Sequence, residues 1–318
     1  MIIYNSKMDQ RFTDFGIEIP IVDDRSSKVV DALGIASTNT DNFSSITKED
    51  LLLAHTENYI SGLFDKDRLE LLLMEAYELV RADGTYHRYN PTSAKFPLSE
   101  LRDRVLMQCG GSHYAMKSAL DKGATYFLGG GMHHAMSFGG RGFCLVNDIV
   151  IGIRKLQKDK KIKKALVVDV DAHKGDGTAQ LCFGDETIYT ISLHMKRGWP
   201  LDDASEGDPW LIPSDMDVEF DVGEEGSYLT KLAAALKKAC EEHEFDLVVI
   251  ADGADPYEHD ELESASLIQL TKEQMLARDL ILFDFFKTKK IPQCYLMAGG
   301  YGKRSYEIYE QFIKERFL

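Results

Sequence analysis

One pattern constrains this chain more than any other: short apolar runs alternate with longer helical stretches. The runs are Thr125–Leu128, Ala165–Val170, Thr187–Leu193, Asp246–Ala251 and Gln293–Met297. A short, continuously apolar run is what a strand buried on both faces requires. Between and beyond them, the spacing of apolar residues predicts helices over Leu98–Asp121, Asn147–Gln157, Ser227–His243, Thr271–Lys287 and Ser305–Arg316. Strand alternating with helix implies an open, mostly parallel sheet with helices on both faces. No Pro-rich linker, repeat or shift in composition divides the chain, so residues 1–318 read as a single α/β domain.

The residues just past each run matter as much as the run. Leu128 leads into GGGMHHA, Val170 into DAHKGDG, Leu193 into HMKRGWP, Ala251 into DGADP and Met297 into AGGYG. In an open α/β sheet, ligands bind outside the carboxyl ends of the strands. All five strand ends therefore deliver His, Asp, Gly or Tyr to one edge. Packing alone gives no reason for that.

The clusters suggest a chemistry. Asp171 and His173 stand two apart just past a strand, so their side chains can share a direction. Asp and His are metal ligands, and Asp255 is the best third candidate. Two carboxylates and one imidazole leave coordination positions open, which is a catalytic rather than a structural arrangement. Zn2+ is the first expectation, and the donor types suit Fe2+ as well. His133 and His134 stand in tandem in a glycine-rich loop, and Asp169 and Asp176 are positioned to take one imidazole N–H each. A carboxylate behind an imidazole fixes its tautomer and raises its basicity. Tyr301, between Gly300 and Gly302, can present a hydroxyl to a developing oxyanion.

Composition narrows the partners. The net charge is −15, which argues against nucleic acid and against an anionic membrane surface as partner. The five cysteines are widely spaced, with no CxxC, which suits a reducing compartment. The first residues, MIIYNSKMDQRF, do not resemble a signal peptide, so a cytoplasmic location is expected. The basic stretch from Arg154 to Lys164 reads as a solvated turn at a helix end. Ten acids and no Lys or Arg fall between Asp202 and Glu225. That run could lie at the site's mouth and steer a cationic substrate.

The ordered set GGGMHHA, RGFCLVND, VVDVDAHKGDGT, ISLH, DGADP and AGGYG resembles the histone deacetylase family, including its bacterial deacetylase and acetylpolyamine amidohydrolase members. The resemblance runs from HTENY, at His55–Tyr59, to Tyr301. It implies an arginase/deacetylase-like fold and a hydrolase that removes the acyl group of an N-acyl amine, either a small molecule or an acyl-lysine protein. It implies Asp171, His173 and Asp255 as metal ligands and His134 as general base. His133 then acts as electrostatic partner, with Asp169 and Asp176 behind the histidines. Tyr301 polarises the carbonyl. Gly142, Phe143, Trp199 and Gly300 contact substrate. A buried potassium site is implied at Asp169, Asp171, His173, Ser192 and Leu193.

The sequence also departs from the family. Lys174 follows the ligand histidine where His or Gln is usual, and it is expected to point away from the site. PIVDDRSSKV replaces the usual His-Pro-Glu-Arg segment. Asn90 stands in for a rim aspartate, and Trp199 stands where Phe is usual. Two other readings remain. One is a non-catalytic protein that keeps the pocket to bind an acyl or amine ligand. The other is an arginase-like ureohydrolase, which Gly175 disfavours because a second metal typically needs an Asp at that position.

Overall fold

The computed structural model describes every residue except Asp203, one of the ten acids in the run noted above. Seven strands form one sheet: β1 (Ile2–Ile3), β2 (Ala124–Phe127), β3 (Ala165–Asp169), β4 (Ile188–Met195), β5 (Met216–Phe220), β6 (Leu247–Asp252) and β7 (Gln293–Met297). Their spatial order is β1-β2-β7-β6-β3-β4-β5, and every pair is parallel. The helices are α1 (Arg25–Leu33), α2 (Lys48–Leu51), α3 (Glu57–Leu63), α4 (Lys66–Ala76), α5 (Leu101–Lys122), α6 (Asp148–Lys158), α7 (Asp176–Cys182), α8 (Tyr228–Glu242), α9 (Lys272–Lys289) and α10 (Tyr306–Arg316).

The strand order dictates where the helices lie. Parallel crossovers are right-handed. The chain steps one way across the sheet through β1, β2, β3 and β4, so α5, α6 and α7 cover one face. It steps back through β6 and β7, so α8 and α9 cover the other. The two apolar cores obey this division. Ala165 and Val167 of β3 join Val105 and Met116 of α5 and Ile149 and Ile153 of α6. Leu166 and Val168, facing the other way, join Leu232 of α8, Leu282 of α9 and Phe312 of α10. The central strand β3 is thus apolar on both faces, as the short continuous run requires.

The stepping direction reverses between β3 and β6, which are hydrogen-bonded neighbours. That reversal is the topological switch point, where a crevice opens beyond the strand ends. Asp171 and His173 follow β3, and Asp255 follows β6.

The five expected strands are present, with ends moved by no more than two residues. The sheet is wholly rather than mostly parallel. Two edge strands, β1 and β5, and the helices α1–α4 and α7 were not read from the sequence. In β5, Met216, Val218 and Phe220 alternate with Asp217 and Glu219. An edge strand with one wet face obeys that rule, and the acids masked it.

Candidate active site

Asp171, His173 and Asp255 converge on one point, with their ligand atoms all within 4.8 Å of one another and all three residues buried. His173 Nδ1 lies 3.1 Å from Asp171 Oδ1 and 3.0 Å from Asp255 Oδ2. The backbone holds the carboxylates still. Gly299 N–H donates to Asp171 Oδ2 at 2.9 Å, and Ala172 N–H donates to Asp255 Oδ1 at 3.0 Å. Gly299 is required there, because a Cβ would stand 2.2 Å from Asp171 Oδ2.

The electrostatics of this cluster call for a cation. Burial and the nearby Asp171 charge push Asp255 up to about 7. Against its own burial, the two carboxylates draw His173 up to about 10. The two buried carboxyl groups thus favour a positive charge between them, and a divalent ion can supply it once the imidazole gives up its proton. The donor set therefore fits a metal.

His133 Nδ1 pairs with Asp169 Oδ2 at 2.6 Å, and His134 Nδ1 pairs with Asp176 Oδ1 at 2.7 Å. The imidazole centroids are 3.8 Å apart, so two like charges cannot sit there comfortably. Burial disfavours charge on both. At His133 the Asp169 and Asp171 carboxylates outweigh it and raise the pKa to about 9. At His134 burial is joined by the His133 charge, and the pKa falls to about 3. The two environments favour the charged form of His133 and the neutral form of His134. Environments that push paired groups apart in this way separate acid from base roles.

The loop bearing the histidines is fastened from below. Asp148 accepts from Gly131 N–H at 3.1 Å and from Met132 N–H at 2.7 Å. Asn147 Nδ2 donates to the His133 and Ala135 carbonyls at 3.4 and 3.3 Å. His55 accepts from Asn147 N–H at 3.0 Å through Nε2, and its Nδ1 lies 2.8 Å from the Met136 carbonyl. The motifs HTENY and RGFCLVND are, physically, the supports of GGGMHHA.

A cavity of about 110 Å³ opens over this cluster, lined by His134, His173, Gly142, Phe143, Trp199, Leu262, Ser264, Tyr301, Glu78 and Arg88. Trp199 stands edge-on to His134 at 4.6 Å and to His173 at 5.6 Å. Phe143 lies edge-on to Tyr301 at 6.2 Å. A Cβ at Gly142 would meet the Trp199 ring at 2.4 Å and the His134 ring at 2.7 Å, so no larger residue fits between the walls. Burial and the Asp171, Asp255 and Asp260 charges hold the Tyr301 phenol far above its ordinary value, so it is a neutral donor. Gly300 is not among the residues lining this cavity. Its carbonyl accepts from Arg25 Nη1 at 2.8 Å.

Several expectations about the surroundings need correction. The described residues of the 202–225 run do not line the cavity; Asp203 lies outside the described residues. Asp215 instead accepts from Thr190 N–H at 2.7 Å, Asp221 pairs with Arg197 at 3.0 Å, and Glu224 pairs with Lys231 at 3.2 Å. Those acids serve the edge of the sheet. Asn90 does not line this cavity either; its side chain accepts from Thr92 N–H at 3.2 Å. The charged groups at the mouth are Glu78 and Arg88, which pair at 3.0 Å. Both are left-handed, with φ of 55° and 52°. That conformation costs of order 1–3 kcal/mol per residue, more than the roughly 1 kcal/mol an ion pair this exposed supplies. Lys174 turns toward β5 and pairs with Asp217 at 3.4 Å. Ser192 stands in register with Asp169 and accepts from Gly175 N–H at 3.3 Å.

Two arginines that sequence reasoning missed support the site. Arg141 lies 2.9 Å from Asp176 Oδ2, with its guanidinium over Trp199 at 5.0 Å and Trp210 at 4.5 Å. Arg278 is fully buried in α9. It donates to the carbonyls of Val170 at 3.0 Å and Gly253 at 2.7 Å, and to Asp252 and Asp279 at 2.7 Å each. It thus ties the ends of β3 and β6 together at the switch point. The only signal for it was an arginine on the apolar side of LARDLILFDFF.

Fold and site together define a parallel α/β protein with a two-carboxylate, one-imidazole cluster at its switch point and paired histidines beside it. The histone deacetylase domain matches residues 20–314, and the chain belongs to the histone deacetylase family. Histone deacetylase 2 of Arabidopsis thaliana is 28% identical over 274 residues, covering 84% of this chain and 65% of that protein. This chain thus spans slightly under two thirds of that relative's length. The crystal structure of the HDA15 HD domain superposes with a TM-score of 0.72 at 19% identity, covering 99% of this chain and 88% of the other. The acetylpolyamine aminohydrolase from Burkholderia pseudomallei also superposes with a TM-score of 0.72, at 15% identity, covering 98% and 97%. At those identities the likeness shows the fold.

Proposed function

We propose that the chain is a metal-dependent amidohydrolase that removes the acyl group from an N-acyl amine, with Zn2+, or alternatively Fe2+, held by Asp171, His173 and Asp255. One observation carries this reading: a single cavity is lined by His134, His173 and Tyr301 and walled by Phe143 and Trp199. A bound divalent ion supplies Lewis acidity toward the amide carbonyl and toward a water molecule.

The protein's own groups do the rest. His134, neutral and oriented through Nδ1 by Asp176, takes the proton of the attacking water at Nε2. Tyr301 donates its hydroxyl to the carbonyl oxygen as negative charge grows there. The charged His133 stabilises that negative charge and helps protonate the departing nitrogen. A C–O bond forms, the C–N bond breaks, and carboxylate and amine leave. Gly142 and Phe143, with Trp199 opposite, hold a narrow unbranched chain, which suits a lysine or polyamine arm. A potassium ion at Asp169, Asp171, His173, Ser192 and Leu193 belongs to the same proposal, supported by the pairing of Asp169 with Ser192 across β3 and β4.

The test is a panel of acetyl-lysine peptides, free acetyl-lysine, acetylpolyamines and longer acyl-lysines, assayed with metal-loaded protein for amine release. Hydrolysis of at least one class, abolished by a chelator and restored by added metal, is the expected result. Tight binding of these compounds with no amine released would favour a non-catalytic binding protein instead.

A further inference from the structure

The charges at the mouth come as a fixed pair. Glu78 and Arg88 flank a short hairpin closed by hydrogen bonds from His87 N–H to the Leu79 carbonyl at 2.8 Å and from Arg81 N–H to the Thr85 carbonyl at 2.9 Å. Both residues line the cavity that exposes His134, His173 and Tyr301. The Arg88 guanidinium rests on the Phe143 ring, 5.5 Å from its centroid, so the wall of the proposed acyl-amine channel also fixes the charge at its rim. Arg88 Nη1 donates to Glu78 Oε2. The other Arg88 N–H groups and Glu78 Oε1 have no hydrogen-bond partner among the described residues.

We propose that this pair recognises a zwitterionic amino-acid head, so that the preferred substrate is an ω-N-acyl-α-amino acid such as free Nε-acyl-lysine, its α-ammonium on Glu78 and its α-carboxylate on Arg88. The inference rests on the amide hydrolysis proposed above and names the body of the substrate. The chemistry discriminates among the candidates. A polyamine would satisfy Glu78 and meet Arg88 as a like charge. A lysine inside a peptide has neutral amides at its α-carbon and uses neither charge. Only a free amino acid brings one charge of each sign from a single carbon, and an opposed pair of fixed charges binds that arrangement without leaving either member unmatched. The methylene arm then runs between Phe143 and Trp199 toward the ligand cluster.

The experiment measures kcat/KM of the metal-loaded full chain for free Nε-acetyl-lysine, its Nα-acetylated form, its α-carboxamide, an acetyl-lysine peptide and an acetylpolyamine. Free Nε-acetyl-lysine is expected to lead, with tenfold or greater losses when either head group is blocked. Each loss should depend on its own partner. In Glu78→Gln the α-amine no longer matters but the carboxylate still does, and in Arg88→Met the pattern reverses. A pair that merely clasps the hairpin would lower every substrate equally in both variants, which overturns the proposal. So would an equal or better rate with the peptide or the polyamine. Failure to hydrolyse any amide would instead overturn the amidohydrolase reading itself.

Discussion

Gly299→Ala tests the ligand cluster without replacing any of its three residues. The backbone at Gly299 is not left-handed, so alanine adds one methyl group and little strain. That methyl would sit 2.2 Å from Asp171 Oδ2 and 3.0 Å from Asp255 Oδ2, roughly 1 Å inside ordinary contact with the first. The carboxylate must move by about that much. Metal–ligand distances tolerate only about 0.2 Å. Losing an outer partner of a ligand typically costs 10- to 100-fold in metal affinity. A direct displacement of the ligand should cost at least ~100-fold, or about 2.7 kcal/mol. Competition against a chromophoric chelator measures it, and the melting temperature of the metal-free protein checks the fold. The expected outcome is weakened metal binding with melting nearly unchanged. Unaltered metal affinity would refute Asp171 as a ligand and, with it, the three-residue cluster.

Two further outcomes are expected. Arg278→Met leaves the buried Asp252 and Asp279 without their cation, and removing one partner of such a network costs about 3–5 kcal/mol. Urea unfolding should show it, and a loss below about 1 kcal/mol would mean that the tie between β3 and β6 is not structural. His55 and His113 are buried, and desolvation holds both down to about 4. The unfolded chain binds protons there below about pH 6.5 and the folded chain does not, so the contribution of these two histidines to stability is full above 6.5 and is lost as the pH drops toward 4. Each histidine's own contribution to the slope is about half of 1.4 kcal/mol per pH unit at pH 6.5 and approaches about 1.4 between pH 5.5 and 5. NMR of the two imidazole rings isolates them from the other titrating groups: both should stay neutral down to about pH 5, and a ring that takes up its proton near 6.5 would show that burial does not hold it neutral.

The sheet was legible because the central strands are buried on both faces and carry few polar residues to blur the run. Its reactive end was legible for the opposite reason: GGGMHHA, DAHKGDG, DGADP and AGGYG put polar residues where packing alone would not. β5 was lost inside an acidic run because its wet face is acidic. β1 is only two residues long and carries no periodicity of its own. The mouth was the least legible part. Glu78 and Arg88 are ten positions apart on an ordinary loop, and only the hairpin between them brings the charges together. Arg141 and Arg278 were hidden because a buried arginine is defined by its partners, which are distant in sequence.

The central claim is that His134 and Tyr301 act on an amide held at the Asp171–His173–Asp255 cluster. Steady-state hydrolysis of the best substrate from the panel tests it directly, comparing metal-loaded wild type with His134→Ala and Tyr301→Phe at equal metal occupancy. The account predicts that kcat falls by about 100-fold or more in each variant. Unchanged kcat in both, with metal bound, would contradict it.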